Sequence, residues 1–227
     1  MPQRIDWLKR VSIFSDLDEP SLASLETLFK ERTFEKEAVV VGQEDPGDSL
    51  YVLTEGRVKV VLFGPSGREV ILSVFKPGEF FGEMSLLDNQ PRSANVIALE
   101  PSKMLVLERS AFAKHLQAHP KTALNVLAEM SKRLRRADAI IGNLALLDVF
   151  GRVARFLREL AKTDGKEVNE GIEITKRPTQ AEIAAMIGTS RETVSRALSE
   201  FQRRGFLDMT GKRIVLRHGF ENERFND

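Results

Sequence analysis

Two stretches of the sequence concentrate side chains with usable chemistry, and neither is arranged for catalysis. The first runs from Phe80 to Val96 and reads Phe-Phe-Gly-Glu-Met-Ser-Leu-Leu-Asp-Asn-Gln-Pro-Arg-Ser-Ala-Asn-Val. Gly82 lets backbone approach a ligand closely. A short helical turn through Glu83, Met84 and Ser85 would offer free N–H groups as an anion nest. Arg92 can fork onto a phosphate, and Ser93, beside the small Ala94, can donate a further bond. Glu83 can accept from a sugar hydroxyl. An arginine inside apolar strand sequence needs a partner, so a purely structural Glu83–Arg92 salt bridge across a loop is the competing reading.

The second stretch runs from Thr179 to Gly205. Thr179 to Ile187 reads as a short amphipathic helix opened by Thr179, an N-cap candidate, with Gln180 next to it. Gly188-Thr189 breaks it, Ser190 can cap a second helix, Arg191 to Arg204, and Gly205 can end that one. Val194, Ala197, Leu198 and Phe201 make its apolar stripe, while Arg191, Glu192, Ser195, Arg196 and Ser199 share the opposite face. This is the plan of a helix-turn-helix, whose second helix enters the major groove of DNA. Arginine forks onto guanine O6 and N7, and glutamate accepts from cytosine N4. The candidate DNA contacts are Thr179, Gln180, Ser190, Arg191, Glu192, Thr193, Ser195 and Arg196. The rival reading is a helical hairpin with a solvated basic face. Two strands after Gly205, Phe206–Met209 and Arg213–Leu216 around a Thr210-Gly211-Lys212 turn, look like a wing.

Little else is reactive. The chain has no cysteine, which excludes disulfides, thiolate metal sites and cysteine nucleophiles. Its three histidines are His115, His119 and His218. His115 and His119 lie four apart and could share a metal, but no further ligands are evident and a surface pair is the better reading. No metal is expected, and no phosphate-binding or dinucleotide glycine loop occurs.

The elements that must carry these stretches follow from periodicity. Residues 6 to 30 read as short helices. From Phe34 to about Leu107, short β-rich segments recur between glycine turns, with Val58, Val60 and Leu62 alternating against Arg57 and Lys59. That suggests a small barrel or sandwich. Pro120 opens a long helix to about Leu147, on which Leu124, Leu127, Ser131, Leu134, Asp138, Ile141 and Ala145 form a heptad seam. A seam this regular between two domains favours a homodimer over packing on its own domain. A helix (Arg152 to Lys162) and a polar loop (Thr163 to Gly171) follow, and Glu221 to Asp227 read as a frayed end.

Charge divides unevenly over the 227 residues. Phe150 to Arg217 holds 14 Lys+Arg against 9 Asp+Glu, and the net +1 of the whole leaves −4 for the remainder. The basic part suits nucleic acid. No apolar run is long enough to span a bilayer and the start carries no export signal, so the expectation is a cytoplasmic protein without a membrane partner.

Three motifs in order carry a resemblance. Phe81-Gly82-Glu83…Pro91-Arg92-Ser93-Ala94 resembles the phosphate-binding cassette of the cyclic-AMP receptor protein and fumarate–nitrate-reduction (CRP/FNR) regulators. Gly142-Asn143-Leu144-Ala145-Leu146-Leu147-Asp148-Val149 resembles that family's hinge after the dimer helix, and Ser190-Arg191-Glu192-Thr193-Val194-Ser195-Arg196 its recognition helix. The resemblance spans roughly residues 10 to 217. It implies an α+β fold: a cyclic-nucleotide-binding β-roll with N-terminal helices over 1–119, a dimerisation helix over 120–147, and a winged helix-turn-helix over 148–227. It implies that Glu83 holds the ribose hydroxyl and that Arg92 and Ser93 hold the cyclic phosphate, with Gly82, Met84, Ser85 and Ala94 shaping the pocket. Arg191, Glu192 and Arg196 would read a TGTGA-like half-site repeated as an inverted palindrome in double-stranded DNA. The Thr163–Gly171 loop lies where the family often contacts RNA polymerase.

The resemblance breaks at the purine. A Thr-Ser pair on the dimer helix contacts adenine in the cyclic-AMP receptor; here Ala137 and Asp138 stand there. A carboxylate accepts from the adenine amino group, and suits the guanine N1–H and N2–H at least as well. Cyclic AMP is the first expectation for the effector, cyclic GMP or cyclic di-GMP the alternative. A regulator that binds DNA without effector, and a nucleotide-binding protein whose C-terminal part serves protein contacts, are the remaining readings.

Overall fold

The structure, a computed structural model, describes residues 4–175, 177–211 and 213–220. Lys212 of the expected wing turn and the expected frayed end lie outside the described residues. Internal contacts divide the chain into Met1–Arg135 and Arg136–Asp227.

The first unit opens with α1 (Arg4–Arg10), a 3-10 turn at Ser12–Phe14 and α2 (Glu19–Glu26). Asp18 caps α2 by accepting from the Ser21 N–H at 2.9 Å. Six strands follow: β1 (Lys30–Phe34), β2 (Val39–Val41), β3 (Ser49–Glu55), β4 (Val58–Phe63), β5 (Glu69–Phe75) and β6 (Phe80–Phe81). Then come α3 (Glu83–Asp88), β7 (Asn95–Ala98), β8 (Ser102–Glu108), α4 (Arg109–Ala118) and the long α5 (Pro120–Leu146). Two antiparallel four-stranded sheets result, β1-β8-β3-β6 and β2-β7-β4-β5. β3 and β8 are buried on both faces, which is why they read as continuous apolar runs. Leu50, Val52, Leu105 and Leu107 face a core with α1, α2, Phe112 and Val126. Tyr51, Leu53, Met104 and Val106 face Phe75, Phe81, Val96 and Ala98 in the other.

Three sequence expectations shift in this unit. The helical reading to residue 30 stops at Glu26, and Lys30 opens β1. The alternation in β4 is broken by an irregular register between Val60 and Val61, so Val58 and Val61 are buried rather than Val58, Val60 and Leu62. α4 stands as a separate helix before Pro120. His115 is no surface residue: it is 7% exposed, edge-on to Phe14, with Nε2 3.2 Å from the Thr122 hydroxyl. Burial, aided by neighbouring His119, pushes its pKa down to about 4.

The second unit continues α5 into α6 (Val149–Asp164), β9 (Lys166–Val168), β10 (Gly171–Ile174), α7 (Gln180–Ile187), α8 (Arg191–Arg203), β11 (Leu207–Thr210) and β12 (Arg213–Arg217). The sheet order is β11-β12-β10-β9. The expected polar loop after α6 thus contains a strand, β9, paired with β10 from Gly171↔Val168 to Glu173↔Lys166. Val153 and Leu157 of α6, Ile183 and Ile187 of α7, the apolar stripe of α8 and Ile214 of β12 form one core.

Candidate functional site

The Phe80–Val96 stretch folds as β6, a glycine turn, α3 and the return into β7. Gly82 sits at φ 87°, and a Cβ there would lie 2.6 Å from Arg92 Nη1 and 2.7 Å from the Ser49 carbonyl oxygen. Only glycine meets both conditions. The absent side chain admits Arg92, which is 5% exposed and donates to the carbonyls of Gly82 (2.8 Å) and Ser49 (2.8 Å). Its guanidinium carbon lies 5.8 Å from the Tyr51 ring centroid, and Tyr51 stacks on Phe81. Burial pulls the Arg92 pKa down. Backbone bonds from Arg92 N to Asp45 O and from Glu44 N to Arg92 O fix the loop that carries it. Ser93 and Met84 are exposed, the hydroxyl 3.9 Å from the thioether sulfur, while Ser85 and Ala94 are buried.

Glu83 does not pair with Arg92. It is 1% exposed, and its Oε1 accepts from Arg133 Nη1 of α5 at 2.7 Å. Arg133 Nη2 donates to the Phe80 carbonyl at 2.6 Å, and the guanidinium stacks over Phe75 and Phe80. Burial raises the Glu83 pKa, with Arg133 opposing. The second oxygen, Oε2, is buried with no hydrogen-bond partner among the described residues. A buried acceptor without a donor is costly, and a donor brought by a ligand satisfies it. Sequence reasoning missed Arg133. It lies off the heptad seam in a run of basic residues, and the available signal was the need of a buried carboxylate for a cation.

On the surface of this chain the seam is open: Leu124, Leu127, Leu134 and Ile141 are each at least 60% exposed. Asp138 is exposed on α5, with no hydrogen bond or ion pair among the described residues.

In the second unit Thr179 and Glu182 form a reciprocal capping box, Glu182 N to Thr179 Oγ1 (3.2 Å) and Thr179 N to Glu182 Oε2 (2.7 Å). Gly188 turns left-handed at φ 71°, and Ser190 caps α8 by accepting from the Thr193 N–H at 3.2 Å. Thr179, Ser190 and Thr193 therefore spend hydroxyl capacity on the turn. Arg191, Glu192 and Arg196 are exposed, and Ser195 half-buried. With Gln180, Ser199, Glu200 and Arg203 they line one concavity. Hydrogen bonds from its own backbone N–H and from Ser190 hold the Glu192 carboxyl below its usual range, so it stays an acceptor. Glu200 accepts from Arg203 Nη2 (2.7 Å), Arg203 Nε (2.9 Å) and Arg204 Nε (2.9 Å).

Comparison with known proteins bears on both units. Residues 31–119 match the cyclic nucleotide-binding domain family, and residues 151–218 the Crp-like helix-turn-helix domain family. A CRP-like cAMP-activated global transcriptional regulator from Mycobacterium tuberculosis is 32% identical over 209 residues, covering 92% of this chain and 93% of its own. The cAMP-activated global transcriptional regulator CRP of Escherichia coli is 33% identical over 185 residues, 81% of this chain and 87% of its own. Among solved structures, the c-di-GMP-responsive global regulator CLP of Xanthomonas campestris superposes with a TM-score of 0.77 at 26% identity, over 88% of this chain and 99% of its own.

Proposed function

The chain belongs to the CRP/FNR family of DNA-binding, cyclic-nucleotide-responsive transcription regulators, and on that premise we propose that it is a homodimer whose grip on a TGTGA-like inverted repeat is gated by cyclic AMP. The observation that carries the effector half is the orphaned Glu83 Oε2, buried near Arg92. A ribose hydroxyl supplies the missing donor. Arg92 spends two of its five N–H groups on backbone and keeps three for a cyclic phosphate, with Ser93 exposed beside it. Ligand charge also offsets the burial of an arginine without a carboxylate partner.

The DNA half rests on α8. Arg191, Glu192 and Arg196 present two forks and one permanent acceptor on a single exposed face, the set that distinguishes guanine from cytosine. The open leucine seam of α5 supports self-association through that helix, as in a coiled coil. Two-fold symmetry then sets half-sites about one DNA turn apart. RNA polymerase is the expected partner of the DNA-bound dimer, on the strength of the family resemblance.

A guanine nucleotide is the second reading. Asp138 is exposed on α5 and can accept from guanine N1–H and N2–H together; a relative of similar fold is described as c-di-GMP-responsive. Fluorescence anisotropy of a labelled TGTGA palindrome at fixed salt, with cyclic AMP, cyclic GMP or cyclic di-GMP, separates the two. Enhancement by cyclic AMP alone, lost in Arg92→Leu, is the expected outcome. Enhancement by a guanine nucleotide alone, lost in Asp138→Ala, transfers the assignment. Tight selective binding indifferent to all three overturns effector gating.

A further inference from the structure

Arg109 begins α4 directly after β8, and its backbone N–H donates to the Asp48 carbonyl at 2.7 Å. Its guanidinium reaches back under the cassette. Nη2 donates to the Ser85 carbonyl (2.9 Å) and to the Gly47 carbonyl; Nη1 donates to the Leu86 carbonyl (3.3 Å) and to Asn89 Oδ1. These acceptors belong to two separate segments. Ser85 and Leu86 lie in the last turn of α3, whose carbonyls have no N–H of their own helix to accept from. Asn89 is the left-handed residue (φ 59°) that ends α3. Gly47 belongs to the turn that leads into β3, and it packs so closely on Ser85 that a Cβ at Gly47 would fall 2.1 Å from the Ser85 Cβ. The same turn carries the Asp45 carbonyl that accepts from the Arg92 N–H at 2.9 Å. All four terminal N–H groups of Arg109 are thus engaged by protein atoms, so its fork serves the loop rather than an incoming molecule.

We propose that Arg109 is a positioning residue of the effector site: by fastening the end of α3 to the 45–48 turn, it holds Glu83 and Arg92 at the separation a nucleotide needs. The inference rests on the effector reading above. Glu83 rides on the first residue of α3, and Arg92 hangs by its N–H from the turn, so the clamp fixes one segment against the other. A short two-turn helix does not hold its place alone. Without the clamp the two segments sample other arrangements, and the apparent Kd rises in proportion to the lost competent fraction. A nucleotide, once bound, restores the arrangement, so the saturated complex keeps its DNA affinity. The loss falls on Kd and not on the saturated response, which a general loss of stability would not produce.

Arg109→Ala, Arg109→Lys and Asn89→Gly in the full-length chain test this. Asn89→Gly removes one acceptor and keeps the left-handed turn, so it serves if Arg109→Ala fails to fold. Calorimetric titration with cyclic AMP, cyclic GMP and cyclic di-GMP reads Kd; anisotropy at saturating nucleotide reads DNA affinity; hydrogen exchange without nucleotide reads the amides of residues 83–89. The expected result is a Kd raised roughly 10- to 100-fold in Arg109→Ala, a smaller rise in Asn89→Gly, faster exchange over 83–89, and unchanged DNA affinity at saturation. Arg109→Lys keeps the charge and loses the fork, so it stays weaker than wild type. Wild-type Kd in Arg109→Ala or Arg109→Lys, or a lowered melting temperature with Kd unmoved, overturns the proposal. If the wild-type chain binds none of the three nucleotides, the effector reading fails on its own account. The exchange arm still decides the clamp: unchanged protection over 83–89 in Arg109→Ala overturns it.

Discussion

Replacing Arg133 with methionine separates the burial of the Glu83 charge from the packing around it. Methionine keeps apolar contact with Phe75 and Phe80, over which the guanidinium now stacks, and removes the cation from a carboxylate that is 1% exposed. An unpaired buried charge costs about 3–5 kcal/mol, but a carboxyl group can escape part of that by taking up a proton. The penalty at pH 7 is then capped by the gap to the ordinary value of 4.5, at about 1.4 kcal/mol per unit, or about 3 kcal/mol. The sign follows from linkage. A carboxyl whose folded pKa is raised binds its proton more tightly folded than unfolded, so its contribution is complete below the unfolded value and is lost as pH rises through the folded one. Burial already raises the Glu83 pKa in the wild-type chain, and loss of Arg133 raises it further. The deficit of Arg133→Met should therefore be small at pH 5 and grow toward pH 8. Urea unfolding followed by the single tryptophan, Trp7 of α1, reports the first unit at both pH values. Adding Glu83→Gln should flatten the pH slope. A deficit equal at pH 5 and pH 8, or a slope that survives Glu83→Gln, would refute the reasoning.

Glu200→Gln releases Arg203 and Arg204 for phosphate, so the slope of log K against log salt on non-specific DNA should steepen by roughly 1 to 2 units; an unchanged slope in a salt titration means that neither arginine reaches the backbone. Arg196→Ala should weaken specific binding by roughly 1–3 kcal/mol and relax selectivity at one base pair, which competition with single-base operator variants measures. His115 is neutral in the folded chain, with a pKa near 4 against the ordinary 6.5. Its contribution is complete above 6.5 and is lost as pH falls toward 4, by up to about 3 kcal/mol. Acid unfolding of His115→Gln should lack that component, and an identical profile would remove it from the acid transition.

What the sequence made legible was local in the chain. The cap residues Thr179 and Ser190, the glycine at Gly188 and the apolar stripe of α8 lie within one or two turns of each other, where spacing alone implies contact, and the helices formed on those signals. The Gly82–Arg92 relation was half legible. A glycine and an arginine ten residues apart suggested a close approach around an anion, and the structure adds that the room left by the missing Cβ is filled by Arg92 itself. The competing reading, a structural Glu83–Arg92 pair, failed for the same physical reason that hid Arg133. A buried carboxylate demands a cation but does not say from which part of the chain, and the one that answers stands 50 residues away on α5. An arginine on an amphipathic helix has the same sequence signature whether it is solvated or plugged into a distant carboxylate.

The three arginines in and around the cassette differ in what their donors are spent on. Arg133 is committed to one oxygen of Glu83 and to a backbone carbonyl. Arg109 has every terminal donor engaged by carbonyls and an amide. Arg92 spends two donors on the carbonyls of Gly82 and Ser49, and in the function proposed above its others meet the phosphate. A site that must bind an anion reversibly needs such a division, because the residue that meets the ligand gives up water on binding, and any freedom it kept would be lost then as well. In the function proposed above, the other two remove that freedom in advance: Arg133 fixes Glu83, and Arg109 the turn from which Arg92 hangs. Loss of the Arg92 fork should therefore abolish nucleotide binding, and substitutions at Arg109 or Arg133 should weaken it.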